Sequence, residues 1–528
     1  MPTATRWSRC RRRGRRKLIA ATLPDIVSTP VNKAEGLNDP SLLEPADWEE
    51  FRAEAHRALD VALNFVRDRP QEAAWEETPP GLKVTDKELP VHGQPLGEVV
   101  NAVQRDVLPY TLGNTHPRFW GWVNGSGTPS GVISQAFVGA INANMGGRDH
   151  SPMYIERQLL AWMRQLFSYP EDASGLICTG TSYATLLALA VARQHALGES
   201  VREQGNGGAA LVAYCSEQAH VSVSKAMEIL GLGSRALRSV PVRPDFTLDH
   251  AALDAMIRSD VALGMKPFAV ISCVGAVNTG AIDELEIIGQ ICRENGLWHH
   301  VDGAFGALIV LSPELRHRLA GIEHADSIAF DFHKWMHVTY AAACVLIRDG
   351  ELHRRSFATS HAYLQGESRG VAAGAPWPCD YGIDLSRGFA ALGIWMLLNE
   401  MGTKRLGEAI YRNCRQAAWL GQQVDSMKQL QRLAPVSLNI VCFRFAPAGL
   451  SRQQLNRINR HIVVTLHCDG IAVPSFTELA GETAIRVCIA NHRTRLDDLQ
   501  ALLDAVIEIG ARLMTAGLEG EEFDVSTH

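Results

Sequence analysis

Between about residues 150 and 350, short apolar runs alternate with helical patterns, and this alternation constrains the chain more than any other feature. Gly175-Leu176-Ile177-Cys178 reads as a buried strand, and Ala184 to His195 as the helix that follows it. Ala210 to Tyr214, Phe268 to Ser272, Trp298 to Asp302 and Ala341 to Ile347 read as further strands. Ile282 to Asn295 has helical periodicity, and Gly296 suits the left-handed position that ends a helix. Strands and helices in this order predict an α/β fold with a mainly parallel central sheet covered on both faces.

The flanks differ. From Pro45 to Arg69 the residues Phe51, Ala55, Leu59, Ala62 and Phe65 fall near one helical face. A Pro/Gly-rich connection follows, then the aromatic segment Thr115-His116-Pro117-Arg118-Phe119-Trp120. Beyond Gly388, two long helices are expected (Phe389 to Met401, Gly407 to Met427), then a smaller α/β segment from Ile440 to Leu513. With 528 residues, more than one core is expected. The division read here is a basic arm (1–40), an N-terminal helical layer (41–128), a large α/β domain (129–395), a small C-terminal domain (396–515) and a tail (516–528).

A net charge of −6 gives no reason to expect a nucleic-acid or anionic-membrane partner for the body. Arg6 to Lys17 form a basic arm without acids; it reads as a disordered tail, an upstream start-site artefact, or an anion-binding or targeting arm. Leu18 to Leu23 is too short for the apolar core of a secretory signal. The 11 cysteines show no CxxC pair and no zinc spacing, which reads as reduced thiols in a cytoplasmic protein without a metal site.

Three motifs carry chemistry. In Asp331-Phe332-His333-Lys334-Trp335 a lysine sits among aromatic residues at the end of an apolar run. Partial burial disfavours the ammonium form, which suits an amine that must attack an aldehyde. The competing reading is a snorkelling lysine with a packed stem and a wet head. In His300-Val301-Asp302-Gly303-Ala304 an acid ends a strand, where open α/β sheets bind ligands; a loop-start cap is the alternative. The separation from Lys334 (334 − 302 = 32 residues) admits a helix and a return strand. Thr179-Gly180-Thr181-Ser182 lies between a strand and a helix, where free N–H groups and hydroxyls bind an anion, although Ser and Thr also cap helices with no ligand. An amine, an acid and an anion cradle are what pyridoxal phosphate (PLP) requires: the acid keeps the pyridine nitrogen protonated so that the ring acts as an electron sink. Ala304 leaves room for a flat ring.

With these blocks in order, the chain resembles the group II PLP-dependent amino acid decarboxylases, which include aromatic-amino-acid, histidine, tyrosine, glutamate and diaminobutyrate decarboxylases. The resemblance runs from about Leu96 to Leu513. It rests on Thr115-His116-Pro117-Arg118-Phe119, Ser151-Pro152, Thr181-Ser182, Gln218-Ala219-His220, His300-Val301-Asp302, His333-Lys334-Trp335 and Arg486-Val487-Cys488. It implies a type I PLP-dependent transferase fold, aspartate aminotransferase-like, with Lys334 holding the cofactor as a Schiff base and Asp302 on the pyridine nitrogen. By the same resemblance His220 stacks on the ring beside the substrate carboxylate, Thr181 and Ser182 cradle the phosphate, and His333 accompanies the lysine. Tyr363 (363 − 334 = 29 residues beyond the lysine) matches a loop tyrosine that returns a proton after CO2 leaves. His116, Trp122 and Arg486 are expected near the substrate, in a homodimer whose active site is shared.

Departures bear on the substrate. Val277 stands where many members have a threonine, and Asp331 where the animal aromatic decarboxylases have Asn. Asn144-Met145-Gly146-Gly147-Arg148 lacks the apolar and aromatic lining of an aromatic-substrate pocket. The nearest rival activity is a decarboxylation-dependent oxidative deaminase that makes an aldehyde; tyrosine rather than phenylalanine at 363 argues for simple decarboxylation. Another PLP lyase or an aminotransferase fits the HVD and HKW blocks together less well. A catalytically dead PLP-fold binding protein predicts loss of Lys334 or Asp302, and both are present.

Overall fold

The structure, a computed structural model, describes residues 43–82, 88–359 and 366–515. The 1–40 arm, Tyr363 and the 516–528 tail lie outside the described residues. Residues through Arg57 and those from Ala58 onward are two compact units, with the helix Trp48–Asp68 crossing the boundary.

The large sheet holds seven strands: β1 (Ser174–Cys178), β2 (Leu211–Ser216), β3 (Leu237–Val240), β4 (Lys266–Cys273), β5 (Trp298–Asp302), β6 (Ser327–Asp331) and β7 (Ala343–Ile347). Their order is β1-β7-β6-β5-β4-β2-β3. Strands β3, β2, β4, β5 and β6 run parallel, and β7 runs antiparallel to both β6 and β1. Only residues 332–342 separate β6 from β7, too few for the crossover that a parallel return needs. Strand β1 therefore points the same way as β6. Every residue of β1, β2, β5, β6 and β7 is buried, as a sheet covered on both faces requires.

The helix Thr181–Leu197 follows β1, three residues earlier than its apolar pattern predicts. Its Ala184, Leu187, Ala188 and Val191 pack in one core with Leu176, Ile271, Ala329 and Val345, so small residues bring the helix close to the sheet. Truncating such a leucine to alanine costs about 2–5 kcal/mol. The helix Leu285–Asn295 ends, as expected, at Gly296 in the left-handed conformation.

One expectation is corrected. Between Asp302 and β6 the chain makes three short 3-10 turns (Gly306–Leu311, Arg316–Leu319, Ile322–His324) rather than an α-helix. Pro313 and Gly321 interrupt this stretch, leaving no uninterrupted run for a full helix. Two helices follow Gly388, as expected: within Ala390–Ser426 the backbone leaves the helical conformation at Gly402 (φ 68°, ψ 160°), which separates them. The 395/396 boundary falls inside the first.

The second sheet has β8 (Leu430–Arg432), β9 (Ile440–Phe445), β10 (Ser475–Leu479) and β11 (Glu482–Cys488) in the order β10-β11-β9-β8, all antiparallel. Helices Arg452–Cys468 and Leu496–Thr515 cover it through Ile458, Ile462, Leu502 and Val506.

Candidate active site

Because β1, β2, β4, β5 and β6 share a direction, the loops that follow them open on one edge of the sheet. Thr179 to Ser182 follow β1, Glu217 to His220 follow β2, Val274 to Thr279 follow β4, and Lys334 stands three residues past β6. Strand pairing sets Asp302 opposite Ala329, so Asp302 and the lysine loop are neighbours. The Asp331 N–H donates to the Ala304 carbonyl (2.9 Å), which ties the ends of β5 and β6 together.

Lys334 is the hinge of the geometry. Its Nζ lies 2.9 Å from Asp331 Oδ2, with the side chain 23% exposed. Asp331, buried, also accepts the Thr181 N–H at 2.7 Å through Oδ1. One carboxylate thus joins the amine to the first turn of the Thr181–Leu197 helix, where free N–H groups attract negative charge. Asp302 is buried and accepts the Ala304 N–H at 3.1 Å. Burial pushes its carboxyl above the ordinary range; the Lys334 cation, the Ala304 N–H and His220 pull it back. His220 stands exposed, with Nδ1 2.8 Å from Ser222 Oγ and 3.2 Å from the Ser222 N–H.

The lysine loop is held from several sides. Gly125 packs so closely that an added Cβ would lie 1.9 Å from the His333 carbonyl oxygen and 2.6 Å from that of Lys334, which explains a glycine there. His333 Nδ1 lies 2.9 Å from the Ala342 carbonyl oxygen and 3.2 Å from the Ala342 nitrogen, and its ring packs against Tyr340 with centroids 4.3 Å apart. Trp335 Nε1 donates to Asn413 Oδ1 (3.0 Å), and Asn413 in turn donates to the Asn491 carbonyl (3.2 Å). Asn491 donates to the His116 carbonyl (2.8 Å), and Thr494 Oγ1 donates to the Pro117 carbonyl (2.6 Å). A segment of the second sheet's layer therefore braces the residue next to the lysine.

The remaining sequence-predicted residues fall in different places. Ser182 is exposed beside Thr181, and Ala304 is half-buried beside Asp302. His116 is buried with both nitrogens engaged, Nε2 at the Glu72 carbonyl (3.2 Å) and Nδ1 at the Arg118 N–H (3.0 Å). That leaves neither nitrogen for a ligand, and burial pushes its pKa down to about 4. Trp122 is exposed in a left-handed backbone conformation (φ 49°). Arg486 is buried; it donates to the carbonyls of Val277 (2.7 Å) and Trp122 (2.8 Å) and to Ser475 Oγ (3.2 Å), and its Nη2 is buried without a partner. It staples two loops together. Gly146 and Gly147 are close-packed: an added Cβ would meet the Leu385 carbonyl oxygen at 1.9 Å or the Trp377 ring at 2.9 Å.

Sequence reasoning missed the double role of Asp331, although its signal was present: like Asp302, it is an acid ending an apolar strand. Tyr340 and Asn413 carried no signal at all. They act through partners distant in the chain.

The residues fit PLP. Thr181 Oγ1 is buried with no hydrogen-bond partner, an orphaned hydroxyl at a helix start where a phosphate oxygen would satisfy it. Asp302, Lys334 and His220 surround the same edge, and each bears on the others' charge. The model of the pyridoxal-dependent decarboxylase conserved domain matches residues 79–446. The chain belongs to this family. It is a PLP-dependent amino acid decarboxylase on a type I fold. An aromatic-L-amino-acid decarboxylase of Bacillus atrophaeus is 29% identical over 466 residues, covering 86% of this chain and 94% of its own. A phenylacetaldehyde synthase of Petunia hybrida is 25% identical, covering 85% and 91%. Among solved structures, Oryza sativa TDC with PLP and tryptamine matches with a TM-score of 0.82 at 22% identity, over 89% of this chain and 99% of that one. At that identity the likeness speaks for the fold alone.

Proposed function

We propose that this decarboxylase binds PLP through Lys334, Asp302, Thr181, Ser182 and His220, and releases CO2 and an amine from an L-amino acid. The observation that carries the assignment is the single edge shared by Lys334 and Asp302, with the orphaned Thr181 hydroxyl beside them. PLP, when bound, supplies the electron sink that accepts the pair freed as the carboxylate leaves. With PLP bound, Asp302 would hold a negative charge toward the ring nitrogen, and His220 would cover the ring and stand beside the substrate carboxylate; His333, pinned by Ala342, steadies the lysine backbone. Trp122 forms the lip of the site, with Arg486 fixing its carbonyl from behind; His116 braces the loop without touching substrate. Tyr363 returns the proton to the substrate carbon.

An aromatic substrate is the first candidate, on the likeness to the Bacillus relative. The small, polar Asn144–Arg148 segment speaks against a bulky pocket lining. A panel of aromatic, acidic and basic amino acids, assayed for CO2 and amine, tests the assignment; no CO2 from any of them would overturn it. The petunia relative favours one second reading, an aldehyde synthase. Hydrogen peroxide and aldehyde in place of amine would establish it.

A homodimer is supported by unpartnered apolar surface. Leu96, Val99, Val103 and Val107 form a helical stripe and are all exposed, as are Phe137 and Ile141 one turn apart. The amphipathic helix Trp48–Asp68 has no buried residue. Stripes of this kind mark protein–protein contact. Among the described residues no helix is long and apolar enough to cross a membrane, and the 10 described cysteines are free thiols, which supports a reducing, cytoplasmic setting.

A further inference from the structure

The helix Ser222–Ile229 begins two residues after His220, and its first N–H has no carbonyl partner within the helix. That N–H points at His220 Nδ1 from 3.2 Å, and the hydroxyl of the same residue lies 2.8 Å from the same nitrogen. A hydroxyl turns to suit either protonation state. A backbone N–H cannot. It only donates, so the nitrogen it meets must offer a lone pair, and in a neutral ring the proton must then sit on the other nitrogen.

We propose that Ser222 is a positioning residue that fixes the proton of His220 on Nε2, so that the ring edge left for the ligand is a hydrogen-bond donor suited to the substrate carboxylate. This rests on the reading of His220 as the ligand-facing histidine and deepens it. An acceptor at that edge would repel a carboxylate oxygen; a donor holds it for departure. Ser222 is buried, so its side of the contact is shielded from water. The charged groups facing His220 are Asp302, Lys334, Asp331 and Lys225. Burial holds the imidazole pKa below its ordinary value, Lys334 and Lys225 add to that, and the two aspartates oppose it. A proton on Nδ1 would also be driven against the Ser222 N–H. The ring therefore stays neutral, in one tautomer.

The test is the 15N spectrum of full-length protein labelled at histidine, recorded with and without PLP and with no substrate, the His220 signals being assigned by their loss in His220→Gln. The expected result near neutral pH is a bare Nδ1 and a protonated Nε2; a protonated Nδ1 overturns the proposal. Substitutions supply the second arm. Glutamine reaches the far-edge position with a donor, whereas asparagine places its amide on the Ser222 side. His220→Gln should keep a KM at least fivefold closer to the parent's than His220→Asn, and equal KM values would count against a far-edge donor. Ser222→Ala keeps the backbone N–H and should keep a bare Nδ1, with a KM within about twofold of the parent's; a protonated Nδ1 in that variant overturns the part given to the N–H. Absence of CO2 from every amino acid would defeat the decarboxylase assignment and leave the nitrogen spectrum untouched, so the two failures are distinguishable.

Discussion

Two polar regions of this molecule adjoin at Trp335 and Lys334, neighbours in the chain, and are built on opposite rules. Around Asn413, Gln416, Asn491 and Thr494 every described side-chain amide and hydroxyl contact closes on a protein partner: Asn413 with Trp335, Gln416 and Asn491, Gln416 with Thr494, Thr494 with Trp120 and Pro117. At the carboxyl edge of the large sheet, Thr181 Oγ1 is buried with no partner and His220 stands open. An unsatisfied buried hydroxyl costs about 1–3 kcal/mol. Buried atoms without a partner occur elsewhere too, Thr483 Oγ1 and Asn439 Oδ1 among them; Thr181 differs in standing at a helix start beside Asp331 and Lys334, where an anion would satisfy it. The first braces; the second reacts.

Four experiments break or sharpen that contrast. Lys334→Ala should abolish the absorbance of the lysine-bound cofactor and lower kcat about a thousandfold or more, with little change in thermal stability. Cofactor absorbance unchanged in that variant would move the site elsewhere. Asp302→Asn should bind PLP yet lose about 100-fold in kcat, because a neutral amide cannot hold the ring nitrogen protonated. Asn413→Leu should do the reverse: about 2–3 kcal/mol lost in denaturant unfolding, since Trp335 Nε1 and Gln416 Oε1 lose their partner, with most of the activity per folded molecule retained. If Asn413→Leu lowers kcat as far as Asp302→Asn does, bracing and reacting are not separate.

The smallest effect concerns pH. His116 is held neutral, its pKa down at about 4 against an ordinary 6.5. The unfolded chain therefore binds more protons than the folded one between those values. Stability contributed by this group is complete above about 6.5 and falls as pH drops toward 4. His116→Phe should flatten the dependence of unfolding free energy on pH across that window by a small, measurable slope, leaving KM unchanged. An altered KM would return His116 to the substrate.

What could be read from residues in a row was considerable. The alternation of apolar strands and helices determined the sheet, because its period and order survive any detail of packing. Asp302 and Lys334 were legible because an acid and an amine at the ends of apolar runs have few other reasons to be there. The antiparallel placement of β7 and the 3-10 turns before β6 depended on chain lengths and breakers whose consequences appear only in three dimensions.

The tertiary structure alone decided which nitrogens, hydroxyls and carbonyls meet. Arg486 serves Val277 and Trp122 from more than 200 residues away, Asn413 meets Trp335 across 78, and His116 proves saturated by Glu72 across 44. A hydrogen bond is directional and short, so its partner cannot be inferred from residue type. Burial is nearly directionless, and a pattern of apolar residues announces it in advance.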